Sequence, residues 1–196
     1  MEIVIATHNV HKIREFREMF KVLPQLEVLS LLHFPQYVSP EETGLTFEEN
    51  ALIKARDAAA HLKMWVLADD SGLVVPALEG APGVISRRYA GEDASDFENR
   101  KKLLQEMRGL SEEDRGAYFE CCLALSGPDH YEKVFSATCE GHILREERGR
   151  YGFGYDSLFV KSDYDKTFAE IDEGIKNRIS HRRKAFDKVI VALEAM

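Results

Sequence analysis

The sequence predicts a mixed α/β fold, a mixed sheet covered by helices, in a single domain. Three observations lead there. Strand and helix patterns alternate through the first half, two long strand patterns joined by a turn occupy the second, and 196 residues suit one domain rather than two. A chain of this length buries roughly 70% of its unfolded surface, so its core needs no disulfide or metal staple.

Residues 2–6 make a short buried strand rich in Val and Ile. Thr7-His8-Asn9 turns the chain into a helix from about Val10, with Ile13, Phe16 and Phe20 on one face. A weaker strand covers about 26–32, and a polar, Pro-containing loop runs to Gly44. Thr46 and Glu49 form a capping box for the next helix, whose apolar stripe is Phe47, Ala51, Ala55, Ala58 and Leu62. A strand from Trp65 to Ala68 then delivers Asp69-Asp70-Ser71-Gly72 at its C-terminal end, with a turn at Ser71-Gly72. Gly80-Ala81-Pro82-Gly83 marks a loop, and a second capping box, Ser95 with Glu98, opens a helix carrying Phe97, Leu103, Leu104 and Met107. Period-two alternation from Ala117 to Leu125 is a strand, turned at 127–130 into a partner over about 131–144. A short strand near 158–160, a link through Ala169-Glu170-Ile171 and a terminal helix from about Ser180, packing through Ala185, Val189 and Leu193, complete the chain.

Composition narrows the function. With 44% hydrophobic and 31% charged residues, the chain is an ordinary globular protein, neither collagen-like nor low-complexity. Its net charge of −8 repels nucleic acid and anionic lipid, so an anionic ligand needs locally gathered cations or a metal. Three cysteines, two of them the neighbours Cys121 and Cys122, imply no disulfide framework and suit a reducing cytoplasm. An acid at Glu2 beside a short apolar run is unlike a signal peptide, and no stretch nears the 18 apolar residues of a membrane span. A soluble cytoplasmic protein is expected.

Five segments carry chemistry. Thr7 to Lys12 lies where a strand gives way to a helix, so backbone N–H groups and the positive dipole end face one spot. Taken alone, Asn9 there is an ordinary cap and Lys12 an ordinary solvated cation, but a cation in a first helical turn opposes the dipole unless an anion is near. Asp69 and Asp70 offer hard oxygen ligands of the kind Mg²⁺ takes one or two at a time, or a plain polar turn. Glu41-Glu42-Thr43-Gly44 is an acidic loop before the helix bearing Lys54. Gly149-Arg150-Tyr151-Gly152-Phe153-Gly154-Tyr155-Asp156 has three glycines among six residues, and two aromatics among them offer a flat surface to a base. Lys176 to Lys184 packs five cations and His181 into nine residues, several in the first turn of the last helix. Two cationic helix starts favour an anion between them, and with the acid cluster and the stacking loop they describe a site for a magnesium-bound nucleotide.

These segments, in this order, resemble the inosine/xanthosine triphosphate pyrophosphatases, which hydrolyse non-standard purine nucleoside triphosphates. The resemblance rests on Thr7-x-Asn9-x-x-Lys12, Glu42-Thr43-Gly44-x-Thr46-Phe47-x-x-Asn50-Ala51, Lys54-Ala55, Ala68-Asp69-Asp70-Ser71-Gly72-Leu73, Gly83-Val84-x-Ser86-x-Arg88-Tyr89, Gly152-Phe153-Gly154-Tyr155-Asp156 and Ser180-His181-Arg182, over nearly the whole chain. It implies a homodimer, two α/β lobes on a long mixed sheet flanked by helices with the active-site cleft between them, and Mg²⁺-dependent cleavage of a triphosphate to monophosphate and pyrophosphate. It also implies that Thr7, His8, Asn9, Val10, His11, Lys12 and Lys54 hold the triphosphate, and that Ser71 touches substrate. Glu42 and Asp70 then hold Mg²⁺, with Asp70 the proton acceptor, and Phe153, Gly154, Tyr155, Asp156, Lys176, His181 and Arg182 meet base and sugar. His8, His11, Ser157 (where the family usually has Pro) and Ile175 depart from the pattern. A pyrophosphatase for pyrimidine or methylated nucleotides, as in Maf-like proteins, and a nucleotide sensor without turnover are the alternatives.

Overall fold

The structure is a computed structural model that describes residues 2–195. A six-stranded sheet has the order β2-β1-β3-β4-β5-β6, with β1 Glu2–Ile5, β2 Glu27–Ser30, β3 Trp65–Val74, β4 Gly116–Ser126, β5 Glu132–Ile143 and β6 Phe159–Lys161. The helices are α1 Val10–Phe20, α2 Phe47–Leu62, α3 Asp96–Glu106, α4 Glu173–Ile179 and α5 His181–Glu194. β1 runs parallel to β2 and to β3, with Ile3 opposite Val28 on one side and Trp65 on the other. Parallel neighbours need crossovers, which α1 and α2 supply. β5 and β6 are antiparallel, pairing Ile143 with Phe159. The sheet is therefore mixed, as the alternation followed by a hairpin predicted.

The chain divides into two compact units. The first comprises Met1–Asp70, Cys121–Ala137 and Arg182–Met196. Its core gathers Ile3 and Ile5 from β1, Phe16 and Phe20 from α1, Leu67 from β3, Leu123 and Leu125 from β4, and Phe186 and Val189 from α5. Phe20 meets Phe186 edge to face at 4.6 Å, a favoured aromatic arrangement. The second comprises Ser71–Glu120 and Thr138–His181, around Leu73, Tyr89, Leu103, Met107, Phe119, Phe159 and Phe168. Cations are sunk there too: Arg115 is fully buried and donates to the carbonyls of Ile143, Met107 and Leu144 at 2.8, 2.9 and 2.7 Å.

Both capping boxes form. Thr46 Oγ1 accepts from Glu49 N at 3.1 Å while the Glu49 carboxylate accepts from Thr46 N at 3.3 Å, and Ser95 with Glu98 repeats the pattern. Phe97, read with Leu103, Leu104 and Met107 as an apolar position of α3, is exposed, and two further expectations fail. β3 does not end at Ala68 with a turn at Ser71-Gly72; it runs ten residues, straight through Asp69-Asp70-Ser71-Gly72. Leu73, Val74 and Val75 are all buried, and that burial carries the strand past a polar tetrapeptide with turn composition. The second miss is α4, seven residues long, which Asp172 caps through Gly174 N at 2.8 Å. Its brevity and internal glycine left no helical period to read.

Candidate active site

In the first unit the site grows from the start of α1. Asn9 caps it, its Oδ1 accepting from His11 N at 2.9 Å and Lys12 N at 3.2 Å, while Thr7 Oγ1 accepts from Asn9 N at 3.1 Å. Two of the backbone donors expected to face a ligand are therefore already engaged. His8, Val10 and His11 are exposed, whereas Lys12 reaches inward and pairs with Asp69 Oδ1.

Asp69 is enclosed by protein. Its Oδ2 accepts from Arg182 Nε at 2.8 Å and from the Cys121 thiol at 3.3 Å. Arg182, the second residue of α5, also pairs with the buried Glu15 of α1. Burial pushes the Asp69 carboxyl up, but Arg182 and Lys12 outweigh it and hold it well below the usual carboxylate range. The same burial acts against the Arg182 charge, and Asp69 and Glu15 hold it firmly cationic. The anion expected between two cationic helix starts is thus the protein's own, Asp69. Two of the Arg182 nitrogens thus meet carboxylates of the same unit, Nε at Asp69 and Nη1 at Glu15.

Asp70 is held differently. Lys54, from the middle of α2, donates to Asp70 Oδ1 at 2.9 Å and to the Asp69 carbonyl at 2.8 Å, and its Nζ lies 3.4 Å from Glu42 Oε1. Asp70 Oδ2 is buried with no hydrogen-bond partner. Burial raises the Asp70 pKa, and Glu42 adds to it, against the pull of Lys54 and Lys12. Lys54 is opposed by its own burial, yet Asp70 and Glu42 raise it and keep it charged. Glu42 is kept near by a clamp: Gly44 N donates to Asn50 Oδ1 at 2.8 Å, and a Cβ on Gly44 would come within 2.7 Å of that oxygen. Asn50, one turn before Lys54 on α2, is a site residue whose role sequence reasoning missed, although it sits in the motif quoted above; its buried place on the helix's inner face was the available signal.

These donors fit one class of metal. Glu42 and Asp70 share Lys54, the donors are all carboxylate oxygen, and one buried Asp70 oxygen lacks a partner. Among the described residues no group of three or more His, Cys, Asp or Glu is arranged to hold an ion. That suits a hard cation taking one or two carboxylates and leaving its other positions to water and phosphate, as Mg²⁺ does, and does not suit a closed structural zinc site.

In the second unit, Asp156 gathers the aromatic loop. Its Oδ2 accepts from Phe153 N at 2.9 Å and Lys176 Nζ at 2.6 Å, and both side chains of that ion pair are almost wholly buried. A Cβ on Gly152, at φ +75°, would collide with the Asp156 carboxylate, so glycine is required. Lys176 also lies 4.6 Å over the Phe153 ring. The His181 ring stacks on Phe119 at 4.8 Å. Tyr155 departs from expectation: its ring is in the core and its hydroxyl donates to the Ser86 carbonyl at 2.8 Å, so it offers no face for stacking. Phe153 stays partly exposed and Tyr151 is exposed. Ser71 lies within β3, not in a turn.

Fold and site together describe an α/β protein that concentrates cations and carboxylates on the strand bearing its Asp pair. The model of the Ham1 family matches residues 3–192, and the chain belongs to that family. A dITP/XTP pyrophosphatase of Protochlamydia amoebophila is 65% identical, over 99% of this chain and 98% of its own length. One from Chlamydia abortus is 51% identical, over 99% and 95%. The solved structure of the Staphylococcus aureus Ham1 protein aligns with a TM-score of 0.89 at 44% identity, covering 100% of this chain and 99% of that one.

Proposed function

We propose that this chain is a nucleoside triphosphate pyrophosphatase, hydrolysing non-canonical purine nucleoside triphosphates such as dITP, ITP and XTP to the monophosphate and pyrophosphate. Two relatives that span it almost completely are named for that activity. The observation that carries the reading in the chain itself is the contrast at the Asp pair. Asp69 is saturated by cations, while Asp70 keeps a buried oxygen without a partner next to Lys54 and Glu42.

Glu42 and Asp70 would hold Mg²⁺, which when bound offsets negative charge on the triphosphate. Lys54 places a buried, fully charged ammonium beside them, and Lys12, anchored by Asp69, adds a second. Asp70 orients the attacking water and takes its proton at Oδ2, the oxygen left open. Phosphoryl-centre substitution asks mostly for positioning and charge neutralisation, which this set supplies. Thr7, Asn9 and the exposed His8, Val10 and His11 take part at the triphosphate through the start of α1, and Ser71 touches substrate beside Asp70. In the second unit Phe153, Gly154 and Asp156, with Lys176 and His181, take the base and sugar.

The homodimer and the cytoplasmic location follow the family resemblance. Buried thiols at Cys121, Cys122 and Cys139, and the lack of any helix among the described residues long and apolar enough to cross a membrane, agree with that location. The test is a product assay with ITP. Pyrophosphate should appear with Mg²⁺ and fall to background with a chelator; orthophosphate as the first product, or binding without turnover, defeats the reading.

A further inference from the structure

α3 grips the aromatic loop of the second unit at a single residue. Gly154 N donates to Asp96 Oδ2 at 2.7 Å, and the Gly154 carbonyl accepts from Arg100 Nη1 at 2.8 Å. Asp96 and Arg100 are four residues apart, on one face of the helix, so they meet both polar groups of one residue together. Arg100 is itself braced: its Nε donates to Glu147 Oε2 at 2.8 Å, and the same oxygen accepts from Ser157 Oγ at 2.9 Å. Gly154 has φ +60°, and a Cβ there would meet nothing within 4 Å, so what is unusual about the position is its left-handed backbone rather than its space. A glycine in such a turn visits many conformations unless its peptide is tied down.

We propose that Asp96 and Arg100 are positioning residues for base recognition. They fix the backbone on both sides of Gly154, and with it the neighbouring Phe153 and Asp156, before a nucleotide arrives, and Glu147 and Ser157 hold Arg100 to that task. The inference rests on the reading that loop 152–156 meets the base. Both residues belong to the second unit, with the loop they hold, and the brace acts on selection and affinity. A loop ordered in advance does not lose its freedom at binding, and a binding site that keeps its shape keeps its discrimination.

The experiment compares wild type, Arg100→Ala, Arg100→Lys and Phe153→Ala in steady-state pyrophosphate release from ITP and GTP. Inorganic tripolyphosphate serves as an inhibitor that has no base. For Arg100→Ala the expected result is a KM for ITP raised about tenfold, the scale of a lost charge-assisted hydrogen bond, with kcat within about twofold. The ITP to GTP preference should shrink by a similar factor, the tripolyphosphate inhibition constant should stay put, and Arg100→Lys should recover part of the loss. Unchanged KM and preference overturn the proposal, as does an equal weakening toward tripolyphosphate, which marks a global structural effect. If Phe153→Ala shifts preference and Arg100→Ala does not, the brace falls and the base-loop reading survives. If Phe153→Ala shifts nothing, the base-loop reading falls and takes the brace with it.

Discussion

Asp69 and Asp70 are neighbours on one strand, both buried, and their surroundings differ. Successive strand residues point to opposite faces. On one face Asp69 meets Lys12, Arg182 and Cys121, two full cations and a thiol donor. On the other, Asp70 meets Lys54 with one oxygen and nothing with the second. The first carboxylate is held well below its usual pKa and the second is raised above it. Saturation of this kind is how a fold secures a buried ion, and the unfilled partner is where chemistry can happen. The pair sorts into a structural anchor and a reactive group, although the sequence presents them as equals.

The largest expected effect tests the anchor. Asp69→Asn leaves Arg182 and Lys12 facing a neutral amide, and breaking a buried pair in this way costs about 3–5 kcal/mol. Urea unfolding should show that loss; a variant as stable as wild type would place the weight of the network elsewhere, on Glu15. Next comes the open side. Glu42→Gln removes one of the two acids around Lys54 and should raise the Mg²⁺ concentration for half-maximal activity about tenfold, with kcat at saturating Mg²⁺ little changed. An unchanged Mg²⁺ requirement would remove Glu42 from the metal site. The smallest effect concerns the thiol beside Asp69. Burial, then the Asp69 charge, pushes the Cys121 thiol well above its ordinary pKa, so it stays protonated and poorly nucleophilic. A thiol-reactive dye at pH 8 should therefore label native protein hardly at all and label three thiols after denaturation.

Much of the frame was legible because its signals are local. The caps at Asn9, Thr46 and Ser95 and the apolar faces of α1 and α2 need only neighbours in sequence, and all formed. Period-two alternation located β4, the order of strands in the sheet was not legible, and the strand read least well is β3. There Asp-Asp-Ser-Gly has the composition of a turn, and only the burial of Leu73 to Val75 shows that the strand goes on. The site was legible as a list of residue types but not as a wiring. Asp69 and Arg182 are 113 positions apart, and no local pattern tells that one cation at a helix start is consumed by an internal carboxylate. Tyr155 was misjudged for the same reason, since a Gly-rich loop looks exposed until the fold buries its ring against Ser86.

The central claim is that Asp70, not Asp69, does the chemistry. Asp70→Asn keeps the shape and removes the charge, and it should be measured for pyrophosphate release from ITP at saturating Mg²⁺ alongside thermal unfolding. The account predicts a kcat at least about a hundredfold lower, the scale of one general-base or electrostatic contribution, with a melting temperature equal to or above wild type. Activity within a few-fold of wild type would contradict it.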